Sequence, residues 1–431
     1  MPKFQPVRGM RDFLPPDAEN LRHVEATAKE IAKLYGFDEI ITPVVEHYDL
    51  LAAKSGEEIK ARIYAFNDLG GRKVALRPEF TASVARLMAT TLRNEPKPLK
   101  LFSTGTLYRY DEPQFGRYRE FWQSNYEIFG STRAEADVEI LSLTKHLMKK
   151  LGLRRFWLKI GHVGILRGLL TEEGVKDSQQ DHIMQLVDAK KRNEALKAAR
   201  KYGVSEKGLA TIKSAFQAKG KDASKVISQL KTELKEYPSS VDALEDLKEI
   251  IRLCSESKLE FNMRIDAGFA RGLEYYTGMI FEPLVPQMKI SLGGGGRYDK
   301  LVELFGGEPT PAVGVAHGLD RIALALDRQN VAPKSPRRFV SLIPIGDSAI
   351  PTALELTFQL RKRGIIVDFE VMGRTTSRAL QHADRKHAAY AIILGPKELT
   401  AGEVTLRDMK SRKQSQIGIE DIHEELSKSI N

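Results

Sequence analysis

Two long apolar–aromatic runs, LKLFSTGTLYRY starting at Leu99 and YREFWQSNYEIFG starting at Tyr118, flank the short polar loop DEPQFGR. Aromatic and β-branched residues favour a pleated, half-buried surface. The spacing predicts a pair of antiparallel strands joined by a long, basic-tipped connection. Upstream, Pro16 to Tyr35 carries Leu21, Val24, Ala28, Ile31 and Leu34 at helical spacing, with Gly36 as its C-cap. A strand at 39–42 stops at Pro43, a hairpin fits 62–76 around Gly70-Gly71, and 79–92 returns to helical spacing. A helix over 135–151 and a strand over 156–162 complete this mixed first part, residues 1–165.

From 166 to 258 the chain is rich in Lys, Glu, Ala and Leu without a clear strand signal, which reads as an all-helical insertion. Strand chemistry returns in 259–327 with FNMRIDAG, GLEYYTGMIFEPLV, KISLGGGGRYDKLVELFGG and AVGVAHGLDRIALALD. Residues 328–338, RQNVAPKSPRR, have prolines, basic residues and no periodicity, and are the linker candidate. After it, 339–431 alternates strand and helix in the βαβ rhythm of a small α/β domain, with two shorter strands and a last helix.

Composition narrows the function classes. The 431 residues allow about two to four domains. A net charge of +10 suits an anionic partner such as nucleic acid, and equally suits a basic but ordinary enzyme. Cys254 is the single cysteine, so no intramolecular disulfide and no thiolate zinc cluster is available. The first residues lack the apolar run of a secretory signal, and no stretch is apolar enough for a membrane span. A reducing cytoplasmic location is the expectation.

Several clusters carry potential chemistry. Arg109 ends the first long strand, where it can grip a phosphate bidentately. Gln123 and Glu127, four apart on the returning strand, share a face and suit the ammonium and polar atoms of a small substrate. Taken alone, an exposed cross-strand ion pair is the stronger reading. Glu79, in Arg77-Pro78-Glu79, sits before a helix, where a dipole contact is the default and holding an ammonium group or a metal-bound phosphate the alternative. In Arg271-Gly272-Leu273-Glu274-Tyr275-Tyr276, an arginine beside glycine can stabilise charge developing on an adenylyl group; the bland reading is a turn with core tyrosines. The four glycines of SLGGGGRYD, between strand and helix, can offer backbone N–H groups to an anion, although they match no phosphate-loop pattern. Arg321 opens a helix after GVAHG and is placed to meet a phosphate. The chain has no H-E-x-x-H and no G-x-S-x-G, and His382 and His387 have the wrong helical spacing for a shared metal.

The order of these clusters resembles the class II aminoacyl-tRNA synthetases. ITPVVE, with Pro43, resembles motif 1; YRYDEPQFGRYREFWQ resembles motif 2; GVAHGLDRI resembles motif 3. The peptides Arg-Gly-Leu-Glu-Tyr-Tyr and Gly-Gly-Arg-Tyr-Asp resemble the two signatures of histidyl-tRNA synthetases, and RGMRDFLP resembles that family's opening. The implied fold is α+β: a catalytic core with a mostly antiparallel sheet flanked by helices, a helical insertion, and a C-terminal α/β anticodon-binding domain. The implied activity is activation of L-histidine by ATP, with Mg²⁺, followed by transfer to the 3′ end of tRNA(His) by a homodimer.

The resemblance also implies roles. Arg109 and Arg271 are the implied catalytic groups, with Arg271 at the α-phosphate. Glu79, Thr81, Gln123, Glu127, Arg271, Tyr275 and Tyr276 are implied to hold histidine. Arg109, Glu112 and Arg321 are implied to hold ATP, and Gln114 and Arg119 to touch the tRNA acceptor end. Asp111 stands where the family usually has glutamate, Glu112 where many members have arginine, and Glu274 where the bacterial peptide has aspartate. The alternative is a related regulatory subunit of ATP phosphoribosyltransferase, which keeps the core without aminoacylation and lacks the anticodon-binding domain.

Overall fold

A computed structural model describes residues 4–53, 60–259, 261–271, 275–286, 288, 290–332 and 339–430. The middle of the first signature peptide, Gly272-Leu273-Glu274, lies outside the described residues, as do 333–338 of the linker candidate. Arg328, where that candidate begins, is still helical: it is the last residue of the helix Leu319–Arg328. The chain divides into two compact units, one ending at Ala332 and one beginning at Pro333.

The first unit is built on a nine-stranded sheet whose spatial order begins with Asp38–Glu39, Leu99–Tyr108, Glu120–Phe129 and Ala312–Gly318. It continues through Gly293–Arg297, Met279–Leu284, Trp157–His162, Met263–Asp266 and Lys219–Gly220. The two long runs form ten-residue strands in antiparallel register from Leu99↔Phe129 to Tyr108↔Glu120. Among the described residues of this sheet, only the Asp38–Glu39 pairing and that between Trp157–His162 and Met263–Asp266 are parallel. The helices Asp17–Leu34 and Ala134–Lys150 bury apolar stripes, Leu21, Val24, Ala28 and Ile31 in one, Ile140, Leu141, Leu147 and Met148 in the other. The hairpin expected at 62–76 pairs Ala65–Asn67 with Lys73–Leu76, and Val45–His47 joins its far side.

Two expectations change. The four glycines are no anion loop: Gly293–Arg297 is a fully buried strand inside the sheet, paired antiparallel on both edges. Backbone groups committed to ladders cannot cradle a phosphate. The segment read as strandless contains six helices, from Val163–Glu172 to Pro238–Glu256, and also Lys219–Gly220, which adds the ninth strand to the sheet edge.

The second unit is a five-stranded sheet. Val340–Pro344 lies between Val367–Phe369 and Tyr390–Leu394, both parallel to it, and Glu403–Asp408 and Gln414–Gly418 follow antiparallel. Leu342, Leu356, Leu360, Ile392, Leu394, Val404 and Leu426 make its core.

Candidate active site

The returning strand Glu120–Phe129 sets Gln123, Asn125 and Glu127 on one face by its two-residue period. Glu127 is 1% exposed. Its Oε1 accepts from the Thr81 hydroxyl at 2.7 Å and from Asn125 Nδ2 at 2.8 Å, and its Oε2 accepts from the Tyr298 hydroxyl. Burial pushes its carboxyl up to about 8, against the pull of the Thr81 and Asn125 hydrogen bonds. Every one of these donors is neutral, and among the described residues no cation pairs with this buried carboxyl group.

Glu79 stands beside it. Its two oxygens accept from the backbone N–H groups of Thr81 and Ala82, at 2.6 and 2.7 Å, and so cap the helix Thr81–Ala89. Burial raises its carboxyl, opposed by those hydrogen bonds and by the Arg109 guanidinium. The tyrosine pair stacks in the same place: the Tyr275 ring lies 5.0 Å from that of Tyr276 and 5.4 Å from that of Tyr298. Burial holds both phenols of the pair above their ordinary value, helped by the nearby carboxylates. Gln123 is half-buried on the same strand face.

Three arginines converge on this pocket. Arg109 donates from Nε to the Pro78 carbonyl at 2.8 Å. Arg271 pairs with Glu282 at 3.0 Å, and Glu282 also takes Lys159 at 2.8 Å across the neighbouring strand. Arg321 donates to the Gly116 carbonyl at 2.9 Å and the Ser291 carbonyl at 3.0 Å. Arg321 is lowered to about 10, first by burial and then by repulsion from Arg109, Arg117 and Arg271. Burial lowers Arg109 too, with Asp111, Glu79 and Tyr275 opposing. Guanidinium groups held close enough to repel one another mark a place prepared for a polyanion.

The glycines of two neighbouring strands explain how these groups fit. A Cβ at Gly294 would collide with the Arg271 guanidinium, and one at Gly314 with the Glu127 carboxylate. Both positions therefore leave the sheet face open for a charged side chain to lie flat upon it.

Other predicted residues lie elsewhere. Glu112 is exposed and pairs with the exposed Arg8, while its neighbour Asp111 is the acid felt by Arg109 and Arg321. Gln114 is exposed at the loop tip, its backbone bridged to Arg117. Arg119 is 6% exposed: its guanidinium lies 3.7 Å over the Tyr110 ring, and its Nε donates to the Asp111 carbonyl at 3.1 Å. Arg119 braces the loop from inside rather than facing solvent. Sequence reasoning passed over Asn125 and Tyr298, which donate to Glu127, and Glu282, which pairs with Arg271. Tyr298 had a signal, since it belongs to the Gly-Gly-Arg-Tyr-Asp peptide. A separate cavity of about 300 Å³ lies beside Lys221, Cys254 and Met263, with no carboxylate among the described residues that line it.

Residues 9–322 match the family model described as histidyl-tRNA synthetase, and 340–429 match an anticodon binding domain. The chain belongs to the histidyl-tRNA synthetase family. A histidine–tRNA ligase of Methanocaldococcus jannaschii is 40% identical over 97% of this chain and 98% of that relative. One from Saccharolobus solfataricus is 37% identical over the whole of both. Among solved structures, the apo histidyl-tRNA synthetase of S. aureus aligns with TM-score 0.69 and 25% identity, covering 98% of this chain and 99% of that one. The Nostoc sp. PCC 7120 synthetase gives TM-score 0.80 at 23% identity over the whole of both chains, which speaks for the fold alone. The histidyl-tRNA synthetase core is the nine-stranded unit, and the anticodon-binding match falls on the five-stranded unit.

Proposed function

We propose that this chain is a histidine–tRNA ligase that works through the pocket formed by Glu79, Glu127, Tyr275, Tyr276 and the three arginines. The observation that carries the reading is a buried carboxyl group, Glu127, with which no cation pairs among the described residues, beside guanidinium groups that repel each other. One half of the pocket is short of a cation with hydrogen-bond donors; the other is short of an anion. Histidine with ATP supplies both.

In this reading the histidine carboxylate attacks the α-phosphorus of ATP in line, forming histidyl-adenylate and releasing pyrophosphate. Arg109 and Arg271 meet the charge that builds on the α-phosphate, and Arg321 holds the far end of the triphosphate. Glu79 and Gln123 hold the α-ammonium. Glu127 and the tyrosine pair, with Thr81 holding Glu127, take the imidazole, so an analogue without ring N–H groups leaves buried acceptors unpaired. The terminal ribose 3′-hydroxyl of tRNA(His) then attacks the adenylate carbonyl, releasing AMP. Gln114 is exposed for contact with the acceptor end, and the five-stranded unit would take the anticodon. Mg²⁺ accompanies ATP as its counter-ion. Among the described residues no group of three or more His, Cys, Asp or Glu gathers; Mg²⁺ beside a nucleotide is usually held by one or two carboxylates together with the phosphates.

A homodimer fits the exposed apolar surface around Pro43, where Ile41 is 91% and Val45 43% exposed. No helix among the described residues is long and apolar enough to cross a membrane; with the single cysteine, a reducing cytoplasmic site of action is consistent. The regulatory-subunit alternative is not better supported: 340–429 matches an anticodon binding domain, which that alternative does not call for. Charging of a tRNA(His) transcript with labelled histidine and ATP tests the proposal. Formation of ATP-dependent histidyl-tRNA is the expected result, and binding of histidine without charging would favour the regulator.

A further inference from the structure

The loop that presents Arg271 is held from two sides. Strand Met263–Asp266 leads into it, and Gly161 of the adjacent strand admits it: a Cβ there would lie 2.6 Å from the Asp266 carbonyl and 3.2 Å from Phe269 Cβ. The other side is the helical insertion. The Ala267 N–H donates to the Ala218 carbonyl at 3.0 Å, and Lys219–Gly220 pairs with Asp266 and Ile265. Gly268 sits so close to the end of helix Glu206–Gln217 that a Cβ would come within 2.8 Å of Phe216 Cα, a backbone atom.

Arg192, the first residue of insertion helix Arg192–Lys201, ties these pieces together. Its Nη1 donates to the Phe216 carbonyl at 2.8 Å, at the negative end of that helix. Its Nη2 lies 3.6 Å from Asp266 Oδ1, where the Arg271 loop begins. Its guanidinium also sits 5.2 Å from the Phe216 ring. One partly exposed side chain thus joins two insertion helices to the root of the loop. Asp188, the last residue of the preceding helix Asp177–Asp188, is close enough to favour the charged form of Arg271.

We propose that Arg192 is a positioning residue for adenylate formation: through Phe216 and Asp266 it fixes the loop that aims Arg271, so the insertion acts on the chemical step. The inference rests on the reading that Arg271 serves adenylation. A shift of a catalytic group by about 1 Å costs on the order of 10²-fold in rate, so a clamp at the loop's root has kinetic consequences.

The test uses the full-length chain without RNA, in histidine-dependent ATP–pyrophosphate exchange. Arg192→Ala should lower kcat about 5- to 20-fold, with KM for ATP and histidine within about twofold. Arg271→Ala and the Arg192→Ala/Arg271→Ala double variant should be equally slow, because the first substitution acts through the second residue. Gly268→Ala, which must push loop and helix apart, should reproduce the kcat loss. If Arg192→Ala leaves kcat unchanged, or if the two arginine substitutions multiply in the double variant, the proposal is overturned. If Arg192→Ala aggregates, Arg192→Lys and Gly268→Ala carry the same comparison. Wild type without histidine-dependent exchange would instead overturn the functional reading, which keeps the two failures distinct.

Discussion

Through the middle of the nine-stranded sheet runs a strand of four glycines, with Arg271 lying against Gly294 and Glu127 against Gly314 of the neighbouring strand Ala312–Gly318. The five-stranded sheet has Tyr390–Leu394 at the corresponding place, with Ile392 and Leu394 in one core with Leu342, Leu356 and Leu360. The first sheet gives up side-chain packing at its centre and buries charge instead. The second buries aliphatic side chains, and its buried polar groups are few: Ser341, Thr357, Glu370 and Thr405, with Glu370 paired to Arg374 at 2.8 Å. Burial holds the Glu127 carboxyl at about 8 without a charged partner, and such perturbed groups cluster at functional sites, so the difference contrasts a region suited to chemistry with one suited to stability. The second unit also exposes apolar surface, Phe358 at 64% and Val371 at 80%.

The largest expected effect lies in the aliphatic sheet. Leu342→Ala should destabilise the second unit by about 2–5 kcal/mol in denaturant unfolding, through lost burial and the cavity left behind. Pyrophosphate exchange without RNA should stay near the wild-type rate; a collapse of exchange would erase the division of labour. In the charged sheet the order reverses: Arg271→Ala should cut adenylate formation by a factor on the order of 10² or more while thermal unfolding changes little. Near wild-type exchange would remove Arg271 from its assigned role.

Glu127 sharpens the contrast through pH. Its folded carboxyl stands at about 8, above the ordinary value of an unfolded glutamate. The stability associated with its protonated form is fully present below the unfolded value and is lost as pH rises toward the folded one. Wild type should therefore lose stability relative to Glu127→Gln between about pH 4.5 and 8. Thermal melts of both proteins across that window measure the widening gap, and parallel curves would contradict the assignment. The same variant should raise KM for histidine on the order of 10-fold or more, with KM for ATP nearly unchanged. The smallest effect is expected at Glu112: as an exposed partner of Arg8, its replacement by alanine should leave KM for ATP within about twofold. A larger change would bring it back among the ATP contacts.

Local patterns made much of this legible. The long strand pair, the hairpin and the βαβ rhythm after residue 339 follow from periodicities of two and 3.6 and from turn residues, which act within a few positions. The glycines of two neighbouring strands were illegible because their reason is distant: what excludes a Cβ at Gly294 is the Arg271 side chain, and at Gly314 the Glu127 carboxylate. Arg119 and Glu112 show the same limit within one loop. Spacing places both near the site, but which side chain turns inward is set by Gly9 against Arg119 and by Arg8 beside Glu112. The convergence of Arg109, Arg271 and Arg321 joins residues more than 200 positions apart. It was anticipated from motif order and could not come from any local pattern.

ATP–pyrophosphate exchange measured with each amino acid in turn tests the central claim most directly. The pairing of a cation-hungry carboxylate with three converging arginines predicts saturable exchange with L-histidine and background rates with the others. Exchange supported best by a different amino acid, or by none, would contradict it.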